Sequence, residues 1–362
     1  MGICKEEFEE KVKSLYYLIY VMGLDLKLLV EPYPITISEL SNKIVAVDAY
    51  NAIYQFLATI RGPTGELLTS TDGDVTSHLS GLFYRNINLL ADNIKLIYVF
   101  DGKPNPLKLK EIERRRQIKQ EASERYHEAI TEGRVEDARK YSQATSILTD
   151  KMVEESKKLL TLLGIPFVLS PSEGEAAAAY MTKQGTAFTC ASQDYDSILF
   201  GARKLTRNLT ISGKRKVPNK KAYMAVEPEI IEYERVLNQT KLTHEQLVDV
   251  GILIGTDFNP EGFAGIGPKT ALKLIREYGK LENIEKIKHL LSDIPYQEIR
   301  NIYLKPETPK VYNIQFNEVN YNSIVNFLCT EKNFSAERVN AAIEKLRRSI
   351  SHRNQSLENW FS

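Results

Sequence analysis

Three short β-branched apolar runs, Lys43–Val47 (K-I-V-A-V), Ile94–Phe100 (I-K-L-I-Y-V-F) and Thr186–Ser192 (T-A-F-T-C-A-S), are followed closely by acids: Asp48, Asp101, and the pair Asp194 and Asp196. The runs lie far enough apart for helices to fit between them, which is the pattern of parallel strands joined by crossovers. The predicted class is α/β, a mostly parallel twisted sheet with helices on both faces. In open sheets of this kind, ligands collect beyond the carboxyl ends of the strands, so acids at three such ends share one crevice. Crowded carboxylates repel one another and attract cations. Hard oxygen donors with little His or Cys nearby suit Mg²⁺ or Mn²⁺ better than zinc.

At 362 residues the chain can bury a substantial core. Its net charge of +1 announces no global field, so any basic surface must be local. Three cysteines, Cys4, Cys190 and Cys329, form neither a paired framework nor a C-x-x-C, which suits a reducing cytoplasm. The apolar stretch Leu15–Met22 is far shorter than the roughly 20 residues that span a bilayer, and the acidic region before it is wrong for a secretory signal. No membrane association is expected.

Ala49–Ile60 and His78–Asp92 read as helices on either side of a polar loop, Arg61–Asp74. From Pro104 to about Leu163 no strand signal occurs; the segment is a charged helical insertion broken near Gly133. A short strand at Pro166–Leu169 and a helix at Glu173–Lys183 follow. The stretch Gly201–Val226 carries eight Lys or Arg and no acid, and within it Arg203–Lys221 reads equally as a solvated hairpin or as more duplex-binding surface. Beyond Thr243 the pattern is helical: Leu247–Ile254, a Gly-rich turn, then Pro268–Tyr278.

Each acid has an ordinary use as well. A lone Asp at a strand end commonly caps a helix, and Ser172-x-x-Glu175 spells a capping box opening an Ala-rich helix. The coincidence favours chemistry: Asp48, Asp101, Glu173, Glu175, Asp194, Asp196 and Asp257 all sit at element ends that parallel topology brings together. Such a cluster supports two-metal hydrolysis of a phosphodiester, with cations about 3.5–4 Å apart activating water and stabilising the departing 3′ oxygen. No convincing Ser/His/Asp or Cys/His arrangement competes with it.

Lys108 and Arg115, seven residues apart, share a helix face close to Asp101 and are placed to neutralise phosphate oxygens; the alternative is a solvated helix of i,i+4 pairs. Gly265-Ile266-Gly267-Pro268 followed by Lys269 resembles a helix-hairpin-helix, whose glycines let backbone N–H groups approach phosphate. Its alternative is an ordinary turn with Pro at the first helical position.

The motifs V-D-A-Y-N at 47–51, S-H-L-S-G-L-F-Y-R at 77–85, V-F-D-G-K-P at 99–104, P-S-E-G-E-A at 171–176, A-S-Q-D-Y-D at 191–196 and G-T-D-F-N-P at 255–260 resemble the structure-specific 5′ nucleases, specifically flap endonucleases of archaeal type. The resemblance implies seven metal-site acids, Asp48, Asp101, Glu173, Glu175, Asp194, Asp196 and Asp257, holding two Mg²⁺ for which Mn²⁺ substitutes, with Asp101 and the glutamates favouring one ion and Asp194 with Asp196 the other. It implies that Lys108 and Arg115 contact the scissile phosphate, that Tyr54 stacks on the base near the cut, and that residues 104–150 form an arch threaded by a single-stranded 5′ flap. The hairpin, about 243–279, would grip downstream duplex, with Gly265, Gly267 and Lys269 at the phosphates and a K⁺ ion nearby; Asp257 and Glu173 would also face the DNA. Products would be a 5′-phosphate and a 3′-hydroxyl, in Okazaki fragment maturation and long-patch repair. A 5′–3′ exonuclease, a bubble or junction nuclease on the same scaffold, and a non-catalytic DNA-binding scaffold are the alternatives.

Met22-Gly23-Leu24 stands where similar archaeal chains begin, so residues 1–22 are expected to be a dispensable extension ahead of a single nuclease domain, 23–345, with Gly23 beside the DNA. Residues 346–362 are expected to be a flexible tail. It holds a box resembling those that bind sliding clamps, with Asn354 in place of the usual Gln as polar anchor and Leu357, Trp360 and Phe361 as an apolar plug. Apart from the clamp, a monomer in the cytoplasm is expected.

Overall fold

The computed structural model describes residues 26–210, 213–216, 223–309 and 314–361, with 213–216, 223–225 and 354–361 described by backbone alone. Among these, β1 (Tyr33–Pro34), β2 (Ile44–Asp48), β3 (Lys95–Phe100), β4 (Phe167–Leu169), β5 (Thr189–Ala191), β6 (Lys204–Arg207) and β9 (Glu229–Glu232) form one sheet in the order β1-β9-β6-β5-β2-β3-β4. The run from β6 to β4 is parallel; β9 joins β6, and β1 joins β9, antiparallel. The basic stretch supplies β6 and then a separate antiparallel pair, β7 (Gly213–Lys216) with β8 (Tyr223–Val226).

The crossovers are helical. α1 (Ala49–Thr59) and α2 (Ser77–Ala91) link β2 to β3; α3 (Leu109–Thr131), α4 (Val135–Ser142) and α5 (Asp150–Leu162) link β3 to β4; α6 (Gly174–Lys183) leads to β5 and α7 (Asp196–Leu199) to β6. After β9 come α8 (Tyr233–Thr240), α9 (His244–Ile254), α10 (Pro268–Tyr278), α11 (Tyr296–Leu304), α12 (Tyr321–Val325) and α13 (Ala336–Phe361).

Side chains alternate across the sheet as strand geometry requires. Val45, Val47, Leu96, Tyr98 and Phe100 enter one core with α1, α2, α5 and α13, while Ala46, Ile97 and Val99 enter the other with α6, α9, α10 and α11. Both faces are covered, which is why these strands read as continuous apolar runs. The expected α/β class with helices on both faces is the one found.

The insertion between β3 and β4 stands partly on its own. α3 buries only Glu111, Ala122 and Ala129, and a satellite core of Ala129, Ala138 and Tyr141 holds it to α4. The chain turns at Gly133, where φ is 70°, the break its composition predicts.

Two expectations change. The strands β1, β9 and β6, which complete one side of the sheet, escape notice in the sequence because they are two to four residues long, β6 and β9 being polar at both ends. The boundary at residue 346 falls inside α13: Val339, Ile343 and Leu346 are buried on one stripe, with Ile350 packed beside them, so the helix runs past the point where a flexible tail was expected to begin. Residues 1–22 and Gly23 lie outside the described residues.

Candidate active site

Strand ends and helix starts carry the acids. Asp48 ends β2 and caps α1, its Oδ1 accepting from Asn51 N at 3.0 Å. Asp101 follows β3, and its Oδ1 accepts from Gly174 N at 2.6 Å, so an acid from one strand end caps the helix leaving its neighbour. A Cβ on residue 174 would stand 2.7 Å from that oxygen and 3.1 Å from Val99 O, so only glycine permits this approach. The capping box expected at Ser172 and Glu175 does not form. The helix starts one residue later, with Glu173 as its N-cap making no side-chain cap bond, and Glu175 Oε1 accepts from Ser197 Oγ at 3.1 Å instead.

The carboxylates feel one another. Burial, then the charge of Asp101, holds Asp48 well above the usual range. Burial, then Asp48, does the same to Glu175, where Asp194 and Asp196 add to it. Asp101 is pushed up to about 6 by burial and then Glu173. Asp194 is pushed up to about 7 by burial, then Asp196 and Asp257. Mutual repulsion therefore links all seven acids in one pocket.

Two cations of the insertion reach into it. Lys108 Nζ lies 2.5 Å from Glu173 Oε2 and 3.0 Å from Asp257 Oδ2; Arg115 Nη2 lies 2.5 Å from Asp257 Oδ1. Burial works against the charge on Asp257, but Lys108 and Arg115 outweigh it and leave this acid below the usual range. Burial likewise opposes the Lys108 ammonium, yet Asp257, Glu173 and Asp101 raise it well above the ordinary lysine value. Glu111, almost wholly buried, accepts from Arg115 Nε at 2.7 Å and fixes the guanidinium from behind. That i,i+4 pair was legible in the sequence. Tyr54 is half-buried on α1, with Lys119 Nζ 4.3 Å from its ring centroid; burial, then Arg115, lowers Lys119 to about 8.

Other polar partners of the acids are not among the expected site residues. Asn51 Nδ2 donates to Asp194 Oδ2 at 2.9 Å while its Oδ1 accepts from Gln193 N at 3.2 Å and from Gln55, which in turn accepts from Thr210 Oγ1 at 2.5 Å. Arg207 stacks over Tyr195, 4.4 Å from the ring centroid, and donates to its hydroxyl and to Gln193 O, gripping the loop that carries Asp194 and Asp196. Tyr303 Oη donates to Asp196 Oδ1 at 2.6 Å.

Gly265, with φ 77°, and Gly267 are exposed together with Lys269 in the turn between α9 and α10, and Pro268 opens α10. The loop after Asp257 is fastened by Asn259, whose Oδ1 accepts from Thr256 Oγ1 at 2.7 Å and whose Nδ2 donates to Ile252 O at 2.7 Å. The side chains of Asn354, Leu357, Trp360 and Phe361 lie outside the described residues.

Among the described residues, no group of three or more His, Cys, Asp or Glu side chains is set to hold a single ion. The carboxylates are drawn onto Lys108, Arg115, Asn51 and the Gly174 amide instead. By charge and donor chemistry the pocket fits a hard divalent cation: its acids are oxygen donors whose repulsion a cation would relieve.

A parallel sheet whose strand ends gather these acids beneath a charged helical insertion is the scaffold of a structure-specific nuclease. The chain matches the XPG N-terminal domain over residues 12–122 and the XPG I-region over residues 164–257. It is 55% identical to flap endonuclease 1 of Nitrosopumilus maritimus over 94% of this chain and 100% of that protein, and 46% identical to flap endonuclease 1 of Pyrococcus furiosus over 94% and 99%. The solved flap endonuclease-1 of Methanococcus jannaschii superposes with a TM-score of 0.70 at 38% identity, covering 91% of this chain and 100% of that one. The catalytic core of Rad2, solved with a DNA substrate, shares the fold with a TM-score of 0.64 at 23% identity over 87% of this chain and 96% of that one.

The chain belongs to the flap endonuclease 1 family. It is a hydrolase that cuts DNA at the single-strand/double-strand junction of 5′ flaps, and the family's role is Okazaki fragment maturation and repair. Nucleases of this type generally use divalent metal ions, with magnesium the norm. Among the described residues no helix is long and apolar enough to cross a membrane.

Proposed function

We propose that Asp48, Asp101, Glu173, Glu175, Asp194, Asp196 and Asp257 hold two Mg²⁺ ions, for which Mn²⁺ substitutes, and that Lys108 and Arg115 present the scissile phosphate to them. The observation that carries this reading is the convergence of seven mutually repelling acids on a pocket that two cations of the insertion already enter. When bound, the ions supply a water-derived nucleophile at neutral pH and neutralise the departing 3′ oxygen, leaving a 5′-phosphate and a 3′-hydroxyl.

The chain's own groups do the rest. Lys108 and Arg115 exchange carboxylate partners for phosphate oxygens and so orient the reacting group. Tyr54 offers its ring to the base beside the cut. Residues 104–150 act as the arch that admits a single-stranded flap, and the turn holding Gly265, Gly267 and Lys269 grips the downstream duplex through backbone amides, a sequence-blind contact near which K⁺ sits. Gly23 lies by the DNA, and the box of Asn354, Leu357, Trp360 and Phe361 docks on a sliding clamp. Apart from that clamp the enzyme works as a cytoplasmic monomer.

Magnesium-dependent cleavage of a labelled flap by the parent, Asp101→Ala and Asp196→Ala tests the metal assignment. Both variants are expected to lose cleavage while retaining flap binding. If both cut like the parent, the assignment is wrong.

A further inference from the structure

Tyr303 belongs to no nuclease motif and lies beyond the XPG I-region match, which ends at residue 257. It is fully buried on α11, yet its hydroxyl donates to Asp196 Oδ1 at 2.6 Å across 107 residues of sequence. A buried Tyr whose only task is packing could be Phe; this one carries a polar tip aimed at a functional acid.

The ring is held from two sides. Its centroid lies 4.7 Å from that of Phe200, which follows α7 and so Asp196, and 5.5 Å from that of Phe258, next to Asp257. One turn earlier on α11, Arg300 forks onto Asp249 at 2.7 and 2.9 Å and onto Glu282 at 2.8 and 3.1 Å, tying α11 to α9, the helix that leads to Asp257. Tyr303 thus sits on a braced helix, between the segments that carry two of the site's acids.

We propose that Tyr303 is a positioning residue for metal binding: its hydroxyl fixes the rotation of the Asp196 carboxylate, so that this acid meets an incoming divalent ion already oriented. A hydrogen bond from a neighbouring side chain sets the direction of a ligand and limits the ordering that binding must impose. A neutral phenol does this without adding a positive charge that would compete with the ion. The inference rests on the assignment of Asp196 as a metal ligand.

Tyr303→Phe keeps the ring and removes only the hydroxyl. Mn²⁺ uptake by the full-length chain, followed by electron paramagnetic resonance, is expected to weaken by about 10-fold, the lower end for loss of a hydrogen-bond partner of a ligand. The magnesium concentration that half-saturates flap cleavage should rise in parallel, while flap affinity without divalent ions and the melting temperature in EDTA stay at the parent's values. Asp196→Ala is measured alongside. If Asp196→Ala weakens Mn²⁺ uptake and Tyr303→Phe does not, the positioning role is overturned and the metal assignment stands. If neither changes uptake, both fall. Should Tyr303→Phe lower the melting temperature in EDTA, 3-fluorotyrosine at residue 303, which restores a donor, must restore uptake; failure to do so overturns the role.

Discussion

Arg115 Nη2 donates to Asp257 Oδ1 at 2.5 Å although 142 residues separate them, while the same guanidinium's Nε donates to Glu111 at 2.7 Å. The insertion is thereby fastened to the acid that follows α9, and on the proposed reading a substrate phosphate takes over one end of a guanidinium already fixed at the other. Arg115→Ala is expected to slow single-turnover cleavage by about 10²–10³-fold, the scale for losing one preorganised charge donor. Flap affinity by fluorescence anisotropy should change far less. A collapse of affinity equal to that of turnover would make Arg115 a docking residue.

Asp101, at about 6, and Asp194, at about 7, stay protonated in the folded chain at pH values where an unfolded Asp, near ~3.9, has ionised. The folded state therefore binds more protons across that window. The stabilisation these groups give is fully present below the unfolded value and is lost as pH rises through the folded ones. The melting temperature in EDTA should fall between about pH 5 and pH 7.5. Magnesium should restore it, with a larger rise at the higher pH, because protons and metal compete for the same oxygens. Equal metal-induced shifts at both pH values would contradict this.

The placement of the acids at strand ends was legible in the sequence, because that signal is local. The strands ending near Asp48 and Asp101 are buried on both faces, which forces an apolar run, and the acid breaks it at the sheet edge. Glu111 and Arg115 stand four apart on one helix and meet there. What could not be read depends on distant packing. Nothing near Asn51 names Asp194 as its partner, nothing in α11 points Tyr303 at Asp196, and the place of the expected capping box is taken by Asp101 arriving from another strand. The strands β1 and β9 are too short to carry a period, and α13 continues because Leu346 finds a core that local composition does not disclose.

Arg300→Ala should destabilise the protein by about 3–5 kcal/mol in urea denaturation, since it leaves the fully buried Asp249 without its ion partner. Replacing the pair together, with Asp249→Leu and Arg300→Met, should recover most of that loss. A single-variant cost below about 1 kcal/mol, the level of a surface pair, would show that water reaches Asp249.

Truncation after Arg353 keeps the bond from its guanidinium to Ala91 O at 2.7 Å, and with it the anchored part of α13. Clamp-free flap cleavage should match the parent's, and stimulation by a sliding clamp should disappear. Undiminished stimulation would move the docking site elsewhere on the chain.

The amide of Gly174 has a consequence for ion choice. An Asp101 oxygen already accepting a hydrogen bond from it is a weak half of a two-oxygen grip, so as a metal ligand the carboxylate would be biased toward one-point attachment. Small ions with strict octahedral shells accept that arrangement readily, whereas calcium, which tolerates and often takes both oxygens of a carboxylate, gains less from it. On the metal assignment proposed above, one backbone hydrogen bond at the start of a helix would favour magnesium over the larger ion.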